Sequence, residues 1–169
     1  MSLQKKKGWS MYISSAEKAI SQGRLQDAED SLVAAMAEAE YSSSVEEPYL
    51  AITLDRLADL YLELGKKDEA AQYALRALRA KEHSHAFGKS CVIKALIRLS
   101  RIYYKQGKIA AAALTTKRAL LLTEETLGPG HPAVGLVSSQ LSELYMELGS
   151  HQEALELNQR CLSMPTFIS

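Results

Sequence analysis

Glycine recurs at Gly23, Gly65, Gly107 and Gly149, each 42 residues after the last. Other registers keep the same period. Alanine falls five places later at Ala28, Ala70, Ala112 and Ala154, and tyrosine four places earlier at Tyr61, Tyr103 and Tyr145, with Ala19 in the first copy. Leucine falls eight places earlier at Leu57, Leu99 and Leu141, with Ser15 in the first copy. Registers that share one period leave little room for anything but a repeat architecture, in which one supersecondary unit stacks on copies of itself. The cleanest copy, Leu57 to Leu78, shows what the unit is. Leu57, Leu60, Tyr61 and Leu64 step by three and four, which puts them on one face of a helix. Ala70, Ala71, Ala74, Ala77 and Leu78 do the same on a second helix. Gly65 lies between them and can enter the left-handed region that closes a helix without steric cost. The unit is a helical hairpin.

Four such hairpins are predicted, at about 9–41, 47–83, 89–127 and 132–163, in one domain over 9–163 with short tails at 1–8 and 164–169. Ser42 to Glu47 reads as a polar break, with Pro48 opening the next helix. Pro132, 84 residues on, opens the last pair, because a missing N–H is harmless in a first turn. Pro165 is expected to stop the final helix. A chain of 169 residues suffices for one sizeable core.

Leu57-Ala58, Tyr61, Gly65, Ala70 and Ala77 resemble the tetratricopeptide pattern. The 42-residue period and the turn Leu127-Gly-Pro-Gly-His-Pro132 resemble the kinesin-light-chain-like subgroup, whose loops have the form LG-x-x-HP. The resemblance spans nearly the whole chain and implies an all-α, right-handed superhelical array of four helix-turn-helix units, with first helices lining a concave side. It implies a protein-protein interaction scaffold without catalytic activity, or else a regulatory or oligomerisation segment of a larger protein. Where the subgroup carries an Asn pair before Leu-Ala, this chain has Asp55-Arg56, Ile97-Arg98 and Ser139-Gln140.

Helical angle assigns the groove side of the first helices. It carries Ile13, Glu17, Ile20 and Ser21 in the first unit, and Ile52, Asp55, Asp59, Leu62 and Glu63 in the second. The third unit supplies Lys94, Ile97, Arg98, Arg101, Tyr104 and Lys105, and the fourth Leu136, Ser139, Glu143, Met146 and Glu147. Ile20, Leu62, Tyr104 and Met146 form an apolar stripe that either packs between units or receives a peptide or partner helix. Two rows, Asp59-Arg101-Glu143 and Glu63-Lys105-Glu147, read acid, base, acid, and are predicted to form ladders of ion pairs. Such ladders would favour a basic and apolar partner over an acidic tail. A chaperone-type carboxylate clamp finds Lys94 and Arg98 in place, but Ile13, Glu17 and Arg56 stand where its Lys and two Asn would be; Glu17 would repel a carboxylate.

Twenty basic and twenty acidic residues give a net charge of zero, which speaks against nucleic acid as the main partner. Lys5 to Lys7 read as a solvated end. No apolar run is long enough to span a membrane, and no apolar signal core opens the chain. Cys91 and Cys161 lack CxxC partners, as suits a reducing, cytoplasmic setting. His83 and His85 have no further ligand nearby, His131 suits a turn or cap, and His151 an exposed helix start. No metal site, cofactor loop or nucleophilic triad is expected. The last helix would leave Ala154, Leu155, Leu157, Cys161 and Leu162 partly uncovered, an expected route to self-association or a sign that the natural protein continues.

Overall fold

The computed structural model describes residues 2–41 and 48–163, with side chains described over 7–41 and 48–159. Eight helices account for almost all of these: α1 (Ser2–Ser21), α2 (Leu25–Tyr41), α3 (Tyr49–Glu63), α4 (Lys67–His83), α5 (Lys89–Lys105), α6 (Ile109–Leu127), α7 (Pro132–Glu147) and α8 (His151–Ser163). Taken two at a time in chain order, the helices form four hairpins. At the start α1 reaches back to Ser2 through the Lys5–Lys7 run, which reads in sequence as a solvated end. Lysine, glutamine and leucine are good helix formers, so a helix nucleated farther along propagates through them. The expected break at 42–47 and the tail at 164–169, with Pro165, lie outside the described residues.

Each hairpin closes the same way. Gly65 sits at φ +75° and Gly107 at φ +75°. The residue after each glycine donates back to the tyrosine register, Lys66 N–H to the Tyr61 carbonyl and Lys108 N–H to the Tyr103 carbonyl, both at 2.9 Å. This satisfies carbonyls that a helix end would otherwise leave bare. At the fourth pair His131 caps α7, its Nδ1 accepting from Ala133 N–H at 3.1 Å, with Pro132 in the first turn.

The chain divides into two compact units, Met1–Phe87 and Gly88–Ser169. In the first, α1 pairs with α2 and α3 with α4, and α2 also meets α3; Leu32, Leu54, Leu57 and Leu60 are almost wholly buried. In the second, α5 pairs with α6 and α7 with α8, and α6 meets α7, around Leu96, Leu99, Ile102 and Leu141. Burying one such side chain contributes about 1.5–3 kcal/mol.

Small residues set how closely the helices of a pair approach. Ala16, Ala58, Ser100 and Ser142 share one repeat position, and all four are buried, as are Ala28, Ala70, Ala112 and Ala154. In the second unit the approach becomes a hydrogen bond: Ser100 Oγ donates to the Ala112 carbonyl at 3.0 Å, and Ser142 Oγ to the Ala154 carbonyl at 3.4 Å.

The tyrosine register is less uniform than its spacing suggests. Tyr61 is buried, donates to Glu29, packs tilted against Tyr73 with ring centroids 5.1 Å apart and lies under Lys66 Nζ. Tyr103 and Tyr145 are only half-buried. The counterpart of Glu29 in the unit that holds Tyr145 is Ala113, which has no carboxylate to cover a ring or accept from a hydroxyl.

Candidate functional site

The second unit contains a cleft of about 630 Å³ between α5 and α7. Repeat geometry builds it. Lys94, Ile97, Arg98, Arg101 and Tyr104 follow three- and four-residue steps along α5, so they share one face. Gln140, Glu143, Leu144 and Glu147 do the same on α7, and Ser100 and Thr116 reach it from below. Thr116 and Ser100 are buried and joined through their hydroxyls at 2.6 Å, which holds the floor rigid where α6 supports α5.

The two walls differ in sign. Three cations, Lys94, Arg98 and Arg101, stand on α5, and two carboxylates, Glu143 and Glu147, on α7. Tyr104 bridges them, its hydroxyl donating to Glu147 Oε1 at 2.9 Å. That hydrogen bond to a carboxylate, and then the carboxylate's charge, raise the ionisation of Tyr104 above the ordinary phenol range. Among the described residues neither Lys94 nor Glu143 forms an ion pair.

Seven residues expected in the groove therefore line one cleft: Lys94, Ile97, Arg98, Arg101, Tyr104, Glu143 and Glu147. Lys105, Ser139 and Met146 are exposed but outside its lining. Gln140, not Ser139, is the lining residue of that pair; it occupies the repeat position of Arg98 and could have been found by carrying that register forward. Ser100, Thr116 and Leu144 went unforeseen because their positions read as core. The second charge row is not the expected ladder at its α5–α7 step. Tyr104, one residue before Lys105, takes Glu147, and no ion pair joins Lys105 to Glu147.

In the first unit the candidates separate. Ile13, Ile20, Ile52, Asp59 and Leu62 are half-buried, while Glu63 and Ser21 are exposed. Asp55 turns inward and pairs with Lys81 of α4, which is only 5% exposed and lies 5.9 Å from the Phe87 ring centroid. The sequence assigns Asp55 to the groove; helical angle alone did not register a buried lysine on the next helix. Glu17 and Arg56, the two misfits to a carboxylate clamp, pair with each other at 2.8 Å. Trp9 donates to Thr53 Oγ1 at 2.8 Å and packs on Tyr49 with ring centroids 4.5 Å apart.

No cluster of three or more metal-ligating side chains occurs among the described residues. His83 Nδ1 lies 2.8 Å from the Arg79 carbonyl on its own helix. Among these residues no helix is long and apolar enough to cross a membrane.

Residues 91–166 match one tetratricopeptide repeat profile and residues 51–84 another, together more than half of the chain. The chain belongs to the tetratricopeptide repeat family. Repeats of this family generally mediate protein-protein interaction. Among solved structures it is similar to nearly identical TPR-like repeats named as a kinesin light chain from Podosopora anserina. The TM-score there is 0.77 at 20% identity, over 92% of this chain and 74% of that one. It is similar to BtubC (BKLC) from P. vanneervenii, with TM-score 0.74 and 22% identity over 91% of this chain and 61% of that one. It is also similar to a tetratricopeptide repeat protein from Parabacteroides merdae, with TM-score 0.69 and 22% identity over 92% and 53%. The likeness at these identities is one of fold, of the kinesin-light-chain-like kind in the first case. None of the curated proteins matches the sequence.

Proposed function

We propose that this chain is a non-catalytic interaction scaffold whose α5–α7 cleft receives a segment of a partner protein. The observation that supports this is the cleft itself. Its roughly 630 Å³ falls within the range of binding pockets, and its walls carry convergent charged and apolar groups on rigid helices rather than on loops. A nucleophile with an activating base, or a phosphate-cradling loop, has no counterpart in its lining. A cytoplasmic setting suits a chain whose Cys91 is a free thiol.

The test is selection of peptides from a display library on the full chain. Selected peptides should lose most of their binding to Arg101→Glu, with helical content unchanged by circular dichroism. Peptides that bind this variant and the parent alike would place recognition elsewhere.

A further inference from the structure

Two facing walls of opposite sign normally cancel by pairing across the gap. Here Lys94 and Glu143 do not pair, although both line the same cleft. Their spacing explains it. Glu143 shares the repeat position of Arg101, so it stands seven residues farther along its helix than the counterpart of Lys94 does. Seven residues are about 10.5 Å of helix, and neighbouring helices lie on the order of 10 Å apart. The two backbones are therefore roughly 14 Å apart on the diagonal. Between the charges the lining turns apolar at Ile97.

We infer that the cleft is dipolar and takes an extended segment of a partner protein that carries an acidic side chain, an apolar one and a basic one at alternate positions. Successive same-face side chains of an extended chain are about 6.6–6.8 Å apart, so the first and fifth residues lie about 13 Å apart, which matches the diagonal. The acid meets Lys94, the base meets Glu143, and the apolar residue between them covers Ile97. A segment of one sign meets a repelling wall whichever way it lies. This rests on the proposed role of the cleft and adds the chemistry of what enters it. It also differs from the basic and apolar partner expected from the charge rows alone, because Lys94, which forms no ion pair among the described residues, leaves a positive charge on one wall.

Four end-blocked, fluorescein-labelled heptapeptides decide it by anisotropy on the full chain at low ionic strength. The parent is Gly-Asp-Gly-Leu-Gly-Lys-Gly; the others replace the charged pair by Asp and Asp, by Lys and Lys, or by Asn and Gln. The mixed-charge peptide should bind about tenfold more tightly than either uniform one, and the difference should shrink with salt. Lys94→Glu should move the preference to the Lys and Lys peptide. A uniform peptide that binds as tightly as the mixed one, or a preference unmoved by Lys94→Glu, overturns the dipolar inference and leaves a peptide-binding cleft standing. No binding by any of the four overturns both.

Discussion

One chemical change, glycine to alanine, should have opposite effects at two places in the second unit. Gly107 closes the α5–α6 turn at φ +75°, and Gly135 lies within α7 outside the positive-φ set. A Cβ added at either meets nothing within 4 Å, so packing drops out and backbone conformation decides. An L-residue in the left-handed region costs about 1–2 kcal/mol. Stiffening of the unfolded chain by alanine returns about 0.4–1 kcal/mol, leaving Gly107→Ala destabilising by about 1 kcal/mol. In a helix interior alanine is better than glycine by about 0.8–1 kcal/mol, so Gly135→Ala should stabilise by nearly as much. Urea unfolding followed at a helical circular-dichroism band reads both as opposite midpoint shifts at constant slope. The two sites are remote, so the double variant should fall near the parent. Shifts in the same direction, or a neutral Gly107→Ala, would refute the assignment of the repeated turn geometry to backbone conformation.

Lys81→Met keeps the buried stem but removes the ammonium from Asp55, and should cost about 3–5 kcal/mol in urea; Asp55→Leu added to it should recover much of the loss, and independent, additive effects would show that the pair is not coupled. The Glu29 carboxylate that accepts its hydroxyl, together with burial, holds Tyr61 well above the usual phenol range. A raised folded-state value means that this contribution is complete below about pH 10 and is lost as pH rises beyond it. Tyr61→Phe should therefore flatten the alkaline fall in stability, and an unchanged fall would contradict the role of that bond. Glu147→Gln should bring the ionisation of Tyr104 back down in an ultraviolet titration; no movement would mean that the hydrogen bond across the cleft is not made in solution.

The fold was legible because its determinants are local and repeated. Each turn glycine, each small residue at the hairpin contact and Pro132 announces itself in sequence at the same register. What escaped depended on partners far away in the chain. The inward turn of Asp55 requires Lys81, 26 residues on. The burial of Tyr61 requires Glu29 and Tyr73, whereas Tyr103 and Tyr145 share its register without its neighbourhood. The candidate site was legible as a helix face, since seven of its expected residues line the cleft, but its floor was not. Ser100 and Thr116 look like ordinary core positions until their hydroxyls are seen to meet.

Trp9 is the only tryptophan in the chain, and it is held by α3 through Tyr49 and Thr53. Its fluorescence consequently reports on the first unit and is silent about direct events in the second. Circular dichroism weighs all eight helices together. Recording both signals during one denaturation separates the melting of the two units without a label or a cut in the chain: coincident curves mean that they unfold as one, and a tryptophan signal that leads or lags measures how independently the first unit lives.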